Sequence, residues 1–282
     1  MTAAELEPQA TDAASRAHRS TRVVYTAVFG KYDELAEVDT RCGCDFVCFT
    51  DDQSLVAPGW HKVLVDTQGD PPALSNRRYK MLPHHCLPQY TESLYVDGHV
   101  VVRRCPVPLF EKYLGAFVIA IPFHQDRRCA YEEAAYCVRD GLIDRAAAEE
   151  QLAEYEREGF PRGLSLTENN VILRRHHDPH VIRLMEFWWN EYRGKVRRDQ
   201  ISLPYLVWRE GIEVKEIEEG PRLSGRYFRL KPHARQCQHW LKVLVWYITT
   251  NRRRNPAYTA AYSAYKMVNA FFGHHRAALP RD

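Results

Sequence analysis

The run Ser93–Arg103, SLYVDGHVVVR, constrains this chain more than any other stretch. Leu94–Val96 favour a buried strand, Asp97-Gly98-His99 sits where that strand would end, and Val100–Val102 resume the apolar pattern. A carboxylate at the end of a buried strand needs a partner, because desolvating it alone costs several kcal/mol. Asp97 and His99, two apart on a turn loosened by Gly98, can direct an oxygen and an imidazole at one cation. That pair suits manganese or a similar divalent ion. A solvated strand-end turn would explain an isolated Asp-x-His without any function.

The same arrangement of apolar strand and acidic stop recurs upstream. Arg22–Phe29 (RVVYTAVF) runs to Gly30-Lys31-Tyr32-Asp33, and Asp45–Thr50 (DFVCFT) ends on Asp51-Asp52. Trp60–Val65 (WHKVLV) is a third strand, Leu74–Leu82 has helical composition, and Phe117–Pro122 (FVIAIP) is a further strand. Strands alternating with longer connections predict an α/β fold with a mainly parallel sheet, its ligands beyond the carboxyl ends. Asp33, Asp51-Asp52 and Asp97 would then gather along one edge. The second half reads as more helical, over Tyr131–Val138, Ile143–Glu158, Asp178–Tyr192, Asp199–Glu210, His233–Thr249 and Ala257–Phe272, with strands in Gly163–Arg174 and Arg226–Leu230. The expected division is a disordered tail over 1–20, one domain over 21–250, and a basic helical tail over 251–282.

Composition contributes mainly exclusions. A net charge of +3 is too small to argue for nucleic acid as a partner. The N-terminal MTAAELEPQATDAASRAHRS has no apolar signal core, and no apolar run approaches the roughly 20 residues of a membrane span. A cytoplasmic protein with reduced thiols is therefore expected. Cys42-x-Cys44-x3-Cys48 has zinc-like spacing, but Cys48 lies inside the apolar run Phe46–Phe49 and no second pair follows. Arg252-Arg253-Arg254 and AYTAAYSAYKMVNAFF could lay an amphipathic helix on the inner face of a membrane, or pack on their own domain.

Several side-chain groups could carry chemistry. On a helix Arg77 and Lys80 share a face, and fixed cations near a metal are what a leaving diphosphate requires; a solvated basic face has the same appearance. Asp199-Gln200 could be a helix cap, or an acid and an amide aimed at sugar hydroxyls. Glu168-Asn169-Asn170 offers a second polar group or ordinary turn chemistry. His124, Arg127, Arg128, Tyr131, Glu132 and Glu133 form a dense polar segment that could be a structural ion-pair network. His233 is a lone candidate for a third metal ligand.

In order along the chain, Val23–Asp33 (VVYTAVFGKYD), Phe46–Asp52 (FVCFTDD), Arg77–Pro83, Ser93–Val102, His124–Ala134 (HQDRRCAYEEA), Gly163–Arg174 and Trp188–Leu203 resemble the DUF616 family of glycosyltransferase-like domains, across about residues 22–235. More distantly the layout is similar to GT-A glycosyltransferases of the glycogenin and galactosyltransferase type. Those enzymes place a D-x-D at a strand end, a later Asp-Gln beside the donor sugar, and a downstream His as last metal ligand. The resemblance implies a GT-A-like, Rossmann-like mixed sheet flanked by helices. It also implies metal-dependent transfer of a sugar from a nucleotide-diphosphate sugar, a uridine one, to a carbohydrate or other hydroxyl acceptor, with retention of configuration. By position Asp97, His99 and His233 would hold Mn2+ or Mg2+. Asp199 and Gln200 would face the donor sugar, with Glu168 as a further catalytic carboxylate. Thr26, Ala27, Tyr32 and Asp51 would bind the nucleotide, and Arg77, Lys80 and Asp97 the rest of the donor. His99 stands where the pattern has its second acid, which leaves open a non-catalytic carbohydrate- or nucleotide-binding protein. A glycoconjugate hydrolase, with the same carboxylates activating water, is the third reading.

Overall fold

The computed structural model describes residues 21–233 and 240–271 of the 282. The tail expected over 1–20, residues 234–239 of the helix expected over His233–Thr249, and the chain beyond 271 lie outside the described residues. The described residues form nine strands: β1 (Arg22–Val28), β2 (Asp45–Thr50), β3 (His61–Leu64), β4 (Glu92–Val96), β5 (Val100–Val102), β6 (Ile119–Pro122), β7 (Val171–Arg174), β8 (Lys215–Ile217) and β9 (Phe228–Leu230). Seven of them make one sheet in the order β3-β2-β1-β4-β7-β6-β8, while β5 and β9 pair as a separate ribbon.

The expected mainly parallel α/β sheet is what forms. β2 and β4 flank β1 in parallel, β3 joins β2 and β8 joins β6 in the same sense. β7 alone among the seven runs the other way, between β4 and β6. That reversal brings the residues before β7 to the edge where β4 ends, and the Asp97 amide donates to the Asn170 carbonyl at 3.0 Å.

Both faces of the sheet are covered, which is why β1 is apolar nearly throughout. Val23, Tyr25 and Ala27 face a layer of helices: α1 (Pro72–Met81), the short α2 (Pro83–Cys86), α4 (Ala130–Arg139), α5 (Arg145–Arg157), α6 (Pro179–Gly194) and α7 (Asp199–Glu210). Val24 and Val28 face the opposite side, filled by the helix α3 (Val107–Leu114) and by Val100 and Phe228 of the ribbon. That helix and β8 are absent from the sequence reading, because eight residues opening at Val107-Pro108 and a three-residue strand are too short to show a period. The strand expected across Gly163–Arg174 shrinks to Val171–Arg174, with one isolated bridge between Thr167 and Phe123. Two closing helices, here α8 (Trp240–Asn251) and α9 (Pro256–Phe271), pack as a hairpin after the sheet. No helix among the described residues is long and apolar enough to cross a membrane.

Candidate functional site

Parallel strands β1, β2 and β4 lie side by side, so their acidic stops fall on one edge, as their positions after the strands predict. Asp51 is used locally: both carboxylate oxygens accept the Gly30 amide, at 3.0 and 3.2 Å, which ties the β1 loop to β2. Gly30 holds φ +66°, and a Cβ there would lie 2.6 Å from Pro72. Thr26 and Ala27 are buried inside β1, and the Ala27 carbonyl accepts the Asn76 amide at 2.5 Å. Tyr32 is exposed, with its ring centroid 4.9 Å from that of His233.

At the centre of the edge is a buried ion network. The Lys80 ammonium is 1% exposed and donates to Asp199 Oδ2 at 2.7 Å, with Asp97 Oδ1 at 3.7 Å. Arg77 Nε lies 3.3 Å from the same Asp199 oxygen, and the Tyr95 hydroxyl donates to Asp97 Oδ1 at 2.9 Å. Burial pushes both carboxyls up, but Lys80 and Arg77 outweigh it and hold Asp97 and Asp199 below the usual carboxylate range. The basic face read from Arg77, Arg78 and Lys80 is therefore divided: Arg78 is exposed, while Lys80 serves as a counter-ion in the interior. Asp199 is the first residue of α7 and does not cap it; the cap position belongs to Arg198.

Next to this network the structure gathers a second group. The ligand atoms of Asp33, His99 and His233 all lie within 4.8 Å of one another. Asp33 Oδ1 is 2.6 Å from His233 Nδ1, and the two imidazole centroids are 4.4 Å apart. The sequence reading put Asp97 in this set; Asp33 stands there instead. Side chains alternate along a strand, so Asp97 follows Tyr95 toward α1 and its Lys80, and Gly98 then breaks the alternation. Gly98 also makes room: a Cβ would meet Val28 Cγ2 at 2.8 Å and the Asp33 side chain at 3.2 Å. Burial pushes the His99 imidazole down to about 4, against the pull of Asp97. Two imidazoles and a carboxylate form a donor set that fits a divalent transition ion, and neutral His is the form that ligates.

On the other flank, Gln200 is fixed from both sides. Its carbonyl oxygen accepts from Arg198 at 2.9 Å and its amide donates to the Thr167 carbonyl at 3.1 Å. Arg198 in turn donates to Glu133 at 2.9 Å, and the fully buried Glu133 also pairs with Arg127. The dense polar segment at His124–Glu133 thus contributes ion pairs that position Gln200. Glu168 is 2% exposed, with Asn170 donating to Oε2 at 3.4 Å and Arg222 3.7 Å from Oε1. Burial raises this carboxyl, against the pull of Arg222.

A family model described as TOD1/MUCI70, glycosyltransferase-like domain, matches residues 2–217. The chain belongs to that family. No curated protein matches the sequence. Among solved structures, mouse xyloside xylosyltransferase 1 in its apo form is similar at 12% identity and a TM-score of 0.39, over 70% of this chain and 84% of that one. The galactosyltransferase LgtC, in complex with donor and acceptor sugar analogs, is similar at 12% identity and a TM-score of 0.36, over 70% of this chain and 73% of that one. At these scores neither likeness carries an argument by itself. Within this TOD1/MUCI70 member, Asp33, Lys80, Asp97, His99, Glu168, Asp199 and Gln200 all lie inside the matched span, whereas His233 lies beyond it. Sequence reasoning missed Arg198 as the holder of Gln200 and Tyr95 as the partner of Asp97. Asp33 had a signal, as an acidic stop after β1.

Proposed function

We propose that this protein is a metal-dependent glycosyltransferase that takes a uridine-diphosphate-class sugar as donor and a glycan or other hydroxyl compound as acceptor, with retention of configuration. The observation that carries the reading is the adjacency of two unlike sites on one sheet edge. One is a two-imidazole, one-carboxylate set able to take a divalent cation, and the other is a carboxylate–amide pair, Asp199 and Gln200, held rigid by buried cations. Family membership supports the same class of chemistry.

In this reading Asp33, His99 and His233 would hold the cation, which would supply positive charge beside the leaving diphosphate. Manganese suits these donors better than magnesium, which takes oxygen ligands. Tyr32, beside His233, presents a ring to the nucleotide base. Arg77, half-buried at the rim, adds a fixed positive charge to the diphosphate, while Lys80 acts one step back by keeping Asp199 ionised. Asp199 and Gln200 orient the donor sugar and stabilise positive charge on its ring as the bond breaks, where preorganised groups give the most. Asp97 and Asp199 are both tied to cations and are poor proton acceptors, which disfavours inversion through either as base. Glu168 has the raised proton affinity suited to handling the acceptor proton.

Thermal unfolding with and without manganese, against a panel of nucleotides and nucleotide sugars, tests this directly. A manganese-dependent rise with UDP or a UDP-sugar, lost in Asp33→Ala and kept in Asp51→Asn, is expected. A rise that survives Asp33→Ala would refute the assignment of the cation. No rise with any nucleotide would remove the donor reading.

A further inference from the structure

The hairpin of α8 and α9 carries a surface unlike the rest of the molecule. Trp240, Leu241, Leu244 and Tyr247 are 70, 48, 47 and 42% exposed. Their spacing of one, three and three residues puts them along one face of α8. On α9, Met267 and Val268 are exposed as well. Single exposed apolar residues are ordinary, but four along one face of one helix make a surface that calls for a partner.

Charge identifies the partner. Between 240 and 268 the chain has five basic residues, Lys242, Arg252, Arg253, Arg254 and Lys266, and no Asp or Glu. Since the whole chain has 39 basic and 36 acidic residues, the remainder holds 34 against 36, and the entire positive excess lies on this hairpin. Two of the cations are structural: Arg252 pairs with Asp126, and Arg254 donates to the Pro221 carbonyl. Those contacts seat the hairpin on the domain. Lys242, Arg253 and Lys266 are exposed. An apolar helix face with Trp and Tyr, on a hairpin that carries exposed cations and no acid, has the chemistry of a segment lying in the interface of an anionic bilayer.

We infer that the α8–α9 hairpin docks this protein on an anionic lipid surface, with Trp240, Leu241, Leu244 and Tyr247 entering the interface and Lys242, Arg253 and Lys266 meeting the headgroups. The inference does not depend on the reading of the sheet edge. It concerns a separate surface, which meets the domain at the Arg252–Asp126 ion pair and at the Arg254–Pro221 contact.

Vesicle flotation of the full chain tests it, using phosphatidylcholine vesicles with and without phosphatidylglycerol at low and high salt. Binding is expected only with phosphatidylglycerol, falling as salt rises. Leu241→Ser/Leu244→Ser is expected to weaken it at least tenfold. Lys242→Gln/Arg253→Gln/Lys266→Gln should weaken it about a hundredfold, at roughly fivefold per cation, and because these three side chains are solvent-facing this variant keeps the fold if the first does not. No flotation of the parent chain would overturn the inference, as would equal, salt-independent binding to both vesicle types. A concentration-dependent dimer abolished by Leu241→Ser/Leu244→Ser, without vesicle binding, would assign the face to a second copy of the chain and overturn it equally.

Discussion

Replacing Lys80 by Met tests the ion network most sharply. The ammonium is 1% exposed, 2.7 Å from Asp199 and 3.7 Å from Asp97, so Met leaves two ionised carboxylates with Arg77 as the remaining cation of the network. Removing one partner of a buried pair costs about 3–5 kcal/mol. At about 2–3 °C per kcal/mol for a chain of this size, the midpoint should fall by about 6–15 °C at pH 7.5. The loss should also depend on pH. In the parent, Asp199 is depressed, so its contribution is fully present above the unfolded value of about 3.9 and is lost only as pH falls through the lower folded value. Between pH 5 and 7.5 the parent term is therefore constant. In Lys80→Met the burial that already pushes Asp199 up is opposed less, so protonation at pH 5 relieves the stranded charge and the gap to the parent narrows. Circular-dichroism melts at both pH values read this out, and Lys80→Met/Asp199→Asn should recover part of the loss at pH 7.5. A fall below 2 °C, or one of equal size at both pH values, would refute the reasoning.

Two further expectations concern neighbouring residues. Gly98→Ala places a Cβ 2.8 Å from Val28 and 3.2 Å from Asp33; it should cost about 1–3 kcal/mol in denaturant unfolding and shrink any manganese-dependent stabilisation. Retention of that stabilisation would show that Asp33 does not need the close approach. Glu168→Gln should lower donor turnover by about 10²–10⁴-fold. Because burial raises the Glu168 carboxyl in the folded state, ionising it costs stability as pH rises through that value, so the variant should be as stable as the parent at pH 8 or more so. Unchanged turnover would remove Glu168 from the reaction.

The sequence by itself determined the parallel half of the sheet, the acidic edge, and α7, whose expected span Asp199–Glu210 is the observed one. Those features rest on local properties: strand and helix periodicity, β-branched runs, and stops at charged residues. The tertiary structure decided what each charged group is for. Arg77, Arg78 and Lys80 look alike on a line of text, and only the packing of α1 against β1 and α6 sends Lys80 inward and Arg78 outward. Asp33 meets His99 and His233 because β1 and β4 are neighbours and Gly98 lets the β1 loop approach, a juxtaposition that the spacing of the three residues along the chain does not show. The antiparallel β7, whose preceding residues Glu168 and Asn170 reach the same edge, leaves no local trace either, since a strand's direction in a sheet is set by its connections to the rest of the chain and not by its own residues.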